Sequence, residues 1–432
     1  MRRDIEAKVS VVGAGYVGLT TAACLAHLGH RVCCADVDVA KVERLNQGKP
    51  GIVEEGLSEL IQEGLASGRL SFVLGAANAV AASQFVFLCV PTPRRDDGSA
   101  DVSALEDVAA EISSHLEPGC VVVNKSTVPV GSTLLVERCL GRQDVVVVSN
   151  PEFLREGSAV HDCLHPDRVV VGADDQRAAA SVGALFAGTG APLIVTDAAT
   201  AETIKYASNA FLAMKLSFVN SVSNLCEAVG ADVRDVLLGM GYDHRIGFEY
   251  LRPGPGWGGS CLPKDTRALV YLASEAGYDF ALLREAIASN DSQLQSVVAK
   301  VRAAAGGQLA GTTVAAWGLT FKARTDDRRE SPAVEVIRCL VSEGAMIRAF
   351  DPTVAGVVPD LPGEVELATD AYQACKGSTV LVVLTEWDEF RWLDFAQVRE
   401  SMASPNVVDA RNLLDPAALR RLGFNYKGMG RQ

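Results

Sequence analysis

A cysteine in a glycine-rich segment is the residue of this sequence best suited to covalent chemistry. Cys261 lies in Pro255–Asp265, which reads PGWGGSCLPKD, and Pro263 is suited to the first turn of a helix. Glycines let the backbone approach a ligand closely, and a helix start favours the thiolate form of a nearby cysteine. The pattern favours a nucleophilic thiol over the alternative, a buried cysteine in a packed turn.

A lysine and an asparagine four residues apart could serve the same chemistry. Lys205 and Asn209 project from one face of a predicted helix. Such a pair is more often part of a solvated surface. Here the following run Ala207–Val219 is so apolar that the helix must be substantially buried, which makes an inward-facing lysine a candidate site residue.

Two polar loops follow predicted strands. Lys125–Pro129 (KSTVP) comes after the strand Val121–Asn124, and Asn150–Gly157 (NPEFLREG) comes after Val145–Ser149. Ligands of doubly wound sheets bind at the carboxyl ends of strands, so hydroxyl and carboxylate groups would gather there. None of the six histidines lies in these segments, and no HxxxH or CxxC spacing predicts a metal site. A lysine or a carboxylate is therefore expected as the general base.

The N-terminal region carries a dinucleotide-binding pattern. A predicted strand at Lys8–Val12 leads into Gly13-x-Gly15-x-x-Gly18 and then a helix, which is the arrangement that holds a pyrophosphate at a helix N-terminus. Asp36 ends the next predicted strand, 18 residues after Gly18. A carboxylate there accepts hydrogen bonds from a ribose diol and repels a 2′-phosphate, so the pattern predicts NAD rather than NADP. A purely structural tight turn is the alternative.

These residues require an α/β scaffold at both ends of the chain. The sequence predicts two Rossmann-like doubly wound domains joined by a central helical domain, with boundaries at 1–200, 201–305 and 306–432. The predicted elements are strands Arg31–Ala35, Phe85–Val90, Thr313–Trp317, Met346–Phe350, Thr379–Leu384 and Asn406–Val408, and helices Ala201–Val229, Asp265–Ala276, Leu282–Ala305 and Ala333–Glu343. The long central helix would suit a dimer interface. The last domain lacks the glycine triplet and is expected to hold another nucleotide or nothing.

Composition excludes several classes of function. The 432 residues carry a formal net charge of −13, which disfavours nucleic acid as a partner. No apolar run approaches 18 residues, and the N-terminus shows no apolar signal segment, so neither a membrane span nor secretion is expected. The 11 scattered cysteines predict free thiols in a reducing cytoplasm.

The chain resembles the UDP-glucose/GDP-mannose dehydrogenase family over nearly its whole length. The resemblance rests on motifs that occur in order: GAGYVG, VPTP, KSTVPVGS, NPEFLREG, the Lys205–Asn209 helix, PGPGWGGSCLPKD and FKARTDDRRESP. It implies that a sugar alcohol is oxidised twice by NAD to a carboxylate. In that scheme Cys261 adds to the intermediate aldehyde, and a thioester forms and is hydrolysed.

The resemblance also assigns the site residues, and it favours Glu156 over Glu152 as the proton carrier. Its catalytic residues are Cys261, Lys205, Asp265, Asn209, Thr127, Glu156 and Glu152. Its NAD-binding residues are Gly13, Gly15, Tyr16, Val17, Gly18, Asp36, Lys41, Pro91, Thr92, Ser126, Thr127, Lys264 and Arg328. Its residues for the nucleotide sugar are Phe153, Leu154, Arg155, Glu156, Lys205, Asn209, Arg245, Tyr250, Gly258, Phe321, Lys322 and Arg411, with Arg245 reaching across a dimer interface.

The substrate itself is left open by departures from the family pattern. Tyr250, Trp257 and Leu262 stand where many members carry phenylalanine. The overall pattern favours UDP-glucose, with dTDP-glucose and GDP-mannose as alternatives. A two-domain β-hydroxyacid dehydrogenase would lack Cys261 and the last α/β domain, and a non-enzymatic NAD-binding scaffold would not need Cys261 or Lys205.

Overall fold

The computed structural model describes residues 6–95, 97–354, 356 and 358–431. It divides the chain into two compact units, Met1–Ser208 with Arg267–Leu272, and Asn209–Thr266 with Ala273–Gln432. The expectation for the N-terminal segment falls on residues 1–5, which lie outside the described residues. Within the described ranges no helix is long and apolar enough to cross a membrane.

The first unit is built on a sheet with helices on both faces. Its strands are β1 (Lys8–Val12), β2 (Arg31–Asp36), β3 (Leu70–Leu74), β4 (Phe85–Leu88), β5 (Val121–Asn124), β6 (Val146–Ser149), β7 (Val169–Gly172) and β8 (Leu193–Thr196). Its helices are α1 (Tyr16–His27), α2 (Val39–Asn46), α3 (Leu57–Ala66), α4 (Ala76–Val80), α5 (Ser103–Ile112), α6 (Ser132–Leu140), α7 (Ala159–Leu164) and α8 (Gln176–Leu185). The strand order is β3-β2-β1-β4-β5-β6-β7-β8.

The first six strands of this order are parallel and follow the arrangement of a dinucleotide-binding fold. In contrast, β7 runs antiparallel to β6 through the Ser149–Gly172 pair and is parallel to β8. The strands predicted from continuous apolar runs are confirmed to within two residues. The sequence did not predict β3, which is an edge strand, nor β7 and β8, of which β8 is the other edge.

Alternate residues of the buried strands face two separate apolar layers. Val9 and Val11 pack into one layer, and the next residue, Val12, packs into the other. This alternation follows from the two-residue period of a strand, and burial of both faces explains the continuous apolar runs. The charged groups Asp36 and Lys125 stand where strands end.

The long helices in the middle of the chain are α9 (Ala198–Val229), α10 (Val233–Gly241), α11 (Leu262–Glu275) and α12 (Ala281–Ala304). Three of them were predicted, and α9 begins three residues earlier than expected. Both α9 and α11 contribute residues to each unit. Lys205 and Asn209 lie four residues apart on α9, as the periodicity requires.

The second unit contains a parallel sheet in the order β11-β10-β9-β12-β13-β14. Its strands are β9 (Thr313–Trp317), β10 (Met346–Phe350), β11 (Val365–Leu367), β12 (Val380–Val383), β13 (Asn406–Asp409) and β14 (Asn425–Gly428). The helices around it include α13 (Pro332–Ser342), α14 (Ala371–Cys375), α15 (Phe395–Ser401) and α16 (Pro416–Arg421). The predicted fold class, two α/β sheets with a helical region between them in the chain, is confirmed.

Candidate functional site

The glycine loop between β1 and α1 is tightly packed at two of its glycines and open at the third. Gly13 has a φ of +99°, and a Cβ there would lie 2.6 Å from the Cys89 carbonyl oxygen. A Cβ on Gly18 would lie 1.8 Å from the Gly13 oxygen, whereas one on Gly15 would meet nothing within 4 Å. The open backbone at Gly15, at the start of α1, fits the close approach of a dinucleotide pyrophosphate.

Asp36 is held as a carboxylate beside this loop. Its oxygens accept hydrogen bonds from the backbone N–H groups of Ala14 and Asp38, each at 3.0 Å, and from Lys41 Nζ at 2.9 Å. Burial opposes the charge, but these hydrogen bonds leave the pKa of Asp36 below its ordinary value. A fixed negative charge at the end of β2 suits an adenosine ribose diol. Asp36 and Lys41 would hold that part of NAD.

The loops after β4 and β5 are tied together by hydroxyl groups. Thr92 Oγ1 donates to the Thr127 carbonyl at 2.7 Å, and Ser126 Oγ donates to the Val90 carbonyl at 2.7 Å. Pro91 is exposed in the same loop as Thr92. The four residues predicted here on the cofactor side are therefore brought together at the carboxyl edge of the sheet.

Lys205 forms a buried ion pair with Glu152. Lys205 Nζ lies 2.8 Å from Glu152 Oε1 and 2.7 Å from the Glu152 carbonyl oxygen. Burial opposes ionisation of the carboxyl, but the Lys205 charge and its hydrogen bond lower the pKa of Glu152 below its ordinary value. The structure thus places Glu152 directly on the lysine, and Glu156 is half-buried in the same loop.

The rest of this loop is anchored by contacts that sequence reasoning missed. The Gly157 N–H donates to Tyr16 Oη at 2.6 Å and to Glu54 Oε2 at 2.7 Å, which links the loop to the start of α1. The Arg168 guanidinium lies 3.6 Å from the Phe153 ring centroid. Glu54 and Arg168 sit in segments with no recognisable motif, so no local pattern could have identified them.

Leu154 and Arg155, two further predicted residues of the loop, each form hydrogen bonds within the protein. The predicted residue Val17 instead packs against the apolar core. Leu154 N–H donates to Glu152 Oε2 at 2.7 Å, so the carboxylate is held from both sides. Arg155 is exposed and forms a bidentate ion pair with Asp162, at 2.6 and 3.0 Å. Val17 lies half-buried in α1 and contacts the first apolar layer.

In the second unit Cys261 immediately precedes α11. Its carbonyl accepts the Asp265 N–H at 2.9 Å, so the thiol lies at the N-terminal end of the helix. Asp265 is fully buried, and its two oxygens accept from Asn209 Nδ2 at 2.6 Å and Lys264 Nζ at 2.7 Å. Four predicted residues from two segments of the chain thus lie together at the helix start.

The glycine-rich segment before Cys261 is fixed by polar contacts from α9 and α12. Trp257 N–H donates to Asn290 Oδ1 at 2.8 Å, the Asn290 amide returns a 3.0 Å hydrogen bond to the Trp257 carbonyl, and the indole N–H donates to Ser217 Oγ at 2.9 Å. A Cβ on Gly258 would lie 2.1 Å from the Glu330 carbonyl oxygen. Glycine is required there because two backbones meet.

Arg411 connects two loops of the second sheet. Its Nη2 donates to the Phe321 carbonyl at 2.7 Å and its Nε donates to the Leu384 carbonyl at 2.8 Å. The Lys322 ammonium lies 5.5 Å from the Phe321 ring. The three residues predicted at the carboxyl edge of this sheet for the nucleotide sugar therefore lie close together.

The remaining predicted residues have distinct environments. Arg245 is exposed and pairs with Asp243 at 2.5 Å, and Tyr250 has a φ of +60°. Such a backbone conformation is unfavourable for a bulky residue and is found most often at functional sites. The Arg328 Nε is buried without a hydrogen-bond partner in the described part of the chain, which leaves a donor for a ligand.

The second sheet has its own carboxylate at the position equivalent to Asp36. Asp351 follows β10, and its Oδ2 accepts from Leu319 N–H at 2.7 Å, Thr320 N–H at 3.1 Å and Trp387 Nε1 at 3.1 Å. The groups of the second sheet thus hold Oδ2 of this carboxylate in a fixed position.

Comparisons with known proteins identify the family to which the chain belongs. Three sequence models of the UDP-glucose/GDP-mannose dehydrogenase family match the chain: the NAD binding domain over residues 7–189, the central domain over 199–292 and the UDP binding domain over 315–416. A UDP-glucose 6-dehydrogenase of Rhizobium meliloti is 45% identical, with 98% of this chain and 99% of that protein covered.

A second sequence relative and a solved structure give the same result. A UDP-glucose 6-dehydrogenase of Pseudomonas aeruginosa is 42% identical, with 98% of this chain and 97% of that protein covered. A solved UDP-glucose dehydrogenase from Pyrobaculum islandicum superposes with a TM-score of 0.90 at 37% identity, over 100% of this chain and 99% of that one. The chain therefore belongs to the UDP-glucose/GDP-mannose dehydrogenase family and is an NAD-dependent oxidoreductase acting on a nucleotide sugar.

Proposed function

We propose that the enzyme is a UDP-glucose 6-dehydrogenase, which oxidises the C6 alcohol of UDP-glucose to the carboxylate of UDP-glucuronate. The observation that carries this proposal is the Cys261 thiol at the start of α11, next to the cluster of Asn209, Lys264 and Asp265. A single alcohol oxidation needs no thiol, whereas addition of a thiolate to an aldehyde gives an adduct that can lose a second hydride. The names of the relatives support UDP-glucose as the substrate.

The reaction balances as an alcohol, two NAD and one water giving a carboxylate, two NADH and three protons. NAD supplies the oxidising power, because each molecule takes up one hydride from C6. The first oxidation also releases the hydroxyl proton and leaves an aldehyde. The Lys205 ammonium, held by Glu152, is suited to stabilise the C6 oxygen as negative charge develops on it.

Cys261 makes the second oxidation possible. Its thiolate adds to the aldehyde carbon and forms a C–S bond, so that C6 again carries a hydrogen and an oxyanion. Loss of that hydrogen as hydride leaves a thioester. Water then attacks the thioester carbon, the C–S bond breaks, and the thiol and the carboxylate are released.

The other predicted residues have supporting roles in this proposal. Asn209 and Asp265 would hold the C6 oxygen and the attacking water, and Thr127 and Glu156 would orient the groups on the nicotinamide side. Lys322, Arg411 and Arg245 would provide positive charge for the diphosphate, with Arg245 supplied across a subunit interface. A molecule with a net charge of −13 needs such a local basic site to bind an anionic substrate.

We also propose that the chain functions as a homodimer formed through α9. Phe211, Phe218, Leu225 and Val229 are each more than half exposed, and their spacing of seven, seven and four residues puts them on one face of the helix. A contiguous exposed apolar stripe of this kind marks an interface between proteins. We expect a second copy of this chain to cover the stripe, because Arg245 is proposed to reach the site of the neighbouring subunit.

The proposal also assigns a role to each of the three predicted domains and a cellular compartment to the enzyme. We assign NAD binding to residues 1–200, dimerisation and the catalytic lysine and cysteine to 201–305, and the nucleotide sugar to 306–432; the three family matches support this assignment. We expect the enzyme to work in the cytoplasm, because all 11 cysteines are free thiols, which suits a reducing compartment.

The decisive experiment measures the yield of NADH per nucleotide sugar. UDP-glucose, dTDP-glucose and GDP-mannose are compared at limiting concentration with excess NAD. We expect two NADH per UDP-glucose and the highest kcat/KM with that substrate. One NADH per sugar would exclude the thioester route, and a preference for another nucleotide sugar would exclude the proposed substrate.

A further inference from the structure

Lys125 is a lysine whose ammonium group lies inside the apolar core of the first unit. It follows β5 directly, is 6% exposed, and its Nζ lies 5.5 Å from the Phe186 ring centroid. Burying an ammonium group is unfavourable, because its hydration is lost and must be replaced by interactions within the protein. Burial accordingly lowers the pKa of Lys125. A core lysine maintained at this cost calls for a functional explanation.

The hydrogen bond of Lys125 leads to the loop that contains Glu152. Its Nζ donates to Asn150 Oδ1 at 3.1 Å. The Asn150 amide is oriented by its other end, because Nδ2 donates to the Val170 carbonyl at 2.7 Å and leaves Oδ1 for the lysine. Asn150 is buried and stands two residues before Glu152, so Lys125 fixes the start of that loop.

Lys125 also acts on Glu152 through its charge. Burial raises the pKa of Glu152, and the two nearby ammonium groups lower it, Lys205 more strongly than Lys125. The Glu152 carboxylate therefore contacts one buried lysine directly, and the second buried lysine bonds Asn150, two residues before Glu152 in the same loop. The charged and titratable groups that face Lys125 are two charged side chains, Glu152 and Lys205, and three thiols, those of Cys24, Cys89 and Cys163.

We propose that Lys125 is a positioning residue for the oxidation: with Asn150 it keeps the Glu152 carboxylate ionised and in place, and Glu152 in turn holds the Lys205 ammonium at the reacting oxygen. This inference rests on the proposed function, since it concerns the same lysine. Lys125 touches neither substrate nor cofactor in this proposal. Its effect is transmitted through a hydrogen bond and an electric field.

The test replaces Lys125 with methionine, which keeps an unbranched apolar side chain one atom shorter and removes the charge. In the Lys125→Met enzyme we expect kcat to fall about tenfold, as small misplacements of catalytic groups do, with the Kd for NADH unchanged. Loss of a nearby cation raises the pKa of Glu152. The acidic limb of the kcat–pH profile should therefore move to higher pH by about one unit.

Two further variants separate this role from a structural one. Lys125→Gln is neutral but can still bond Asn150, so it should shift the acidic limb as well, and it provides the measurement if Lys125→Met does not fold. Val123→Ala, at a buried residue of the preceding strand β5, should lower the Tm without moving the limb. Lys125→Arg keeps the charge and should leave the limb in place.

The outcomes are distinguishable from failure of the proposed function. A neutral Lys125 variant that loses thermal stability like Val123→Ala and keeps the wild-type limb would show that Lys125 is merely structural. That result would leave two NADH per sugar in the wild-type enzyme untouched. One NADH per sugar in the wild type would instead overturn the proposed function, whatever the Lys125 variants do.

Discussion

Lys205 Nζ lies between two oxygens of Glu152, 2.8 Å from the side-chain Oε1 and 2.7 Å from the backbone carbonyl. Both side chains are almost completely buried. The ammonium is thus fixed in position by one residue through two different groups. The two residues act as a unit, because removing either charge would leave the other buried without its ion-pair partner.

Replacing Glu152 with glutamine should reveal this dependence. Glu152→Gln leaves the Lys205 ammonium without its counter-charge, which costs about 3 kcal/mol in the free energy of unfolding at neutral pH. We expect kcat to fall at least tenfold with a smaller change in KM. Urea unfolding and initial rates measure the two effects. Wild-type stability and rate in this variant would show that the pair has no role.

The same variant gives a pH dependence of defined sign. The pKa of Glu152 is lowered in the folded protein, so the unfolded chain takes up the proton first as the pH falls. The stability due to the ionised carboxylate is present above pH 4.5 and is lost as the pH falls through the folded-state pKa. The difference in unfolding free energy between wild type and Glu152→Gln should shrink over that range. A constant difference would contradict an ionised Glu152.

Cys261→Ala should abolish net formation of the uronic acid while leaving NAD binding intact. Without the thiol no covalent adduct forms, so the second oxidation has no route. Product analysis by mass spectrometry and titration of NADH fluorescence give the two readouts. Cys139→Ala, a half-buried cysteine of α6, is the matched control and should behave as the wild type. Normal acid production by Cys261→Ala would disprove the proposed mechanism.

The two glycines at the start of α1 should fail in different ways when replaced by alanine. Gly18→Ala puts a Cβ 1.8 Å from the Gly13 oxygen and should destabilise the cofactor-free protein by about 2 kcal/mol. Gly15→Ala meets no protein atom, so it should keep the Tm but weaken NAD binding about tenfold. Melting curves without cofactor and NADH titrations test both statements. Equal destabilisation by the two changes would contradict the statement that the loop is open at Gly15.

Asp36→Ser should relax the preference for NAD over NADP. Removing a carboxylate that repels a 2′-phosphate, while Lys41 remains, should lower the ratio of the two kcat/KM values about a hundredfold, since a charge contact near the surface is worth roughly 1–4 kcal/mol. Asp38→Asn changes a neighbouring carboxylate that caps α2 and should leave the ratio near wild type. An unchanged ratio in Asp36→Ser would assign cofactor choice to other residues.

Phe218→Asp should dissociate the proposed dimer. Its ring is 56% exposed in the middle of the α9 stripe, where a charge would be buried against the second copy. Sedimentation equilibrium should then report monomers at concentrations at which the wild type is dimeric. Trp392→Asp, at an even more exposed aromatic residue outside α9, should not change the oligomeric state. A dimer that survives Phe218→Asp would place the interface elsewhere.

The elements and the nature of the chemistry could be read from local patterns. Continuous apolar runs identified the buried strands such as β1 and β5, because strands covered on both faces need apolar side chains at every position. The glycine triplet with Asp36 indicated NAD, and the setting of Cys261 indicated a nucleophile. These features depend on residues close together in the chain, so periodicity and turn chemistry are sufficient to recognise them.

The partners of the catalytic groups were decided by the tertiary structure alone. Glu156 remains the predicted proton carrier, and packing puts Glu152, 53 residues from Lys205 in the chain, in contact with that lysine. Asn209 and Asp265 are 56 residues apart and meet at 2.6 Å. The sequence pattern places Lys125 in a polar loop, whereas the structure buries its side chain in the core. A buried charge takes whichever partner the folded chain brings within hydrogen-bond reach, and that choice depends on distant segments which leave no periodic trace in the sequence.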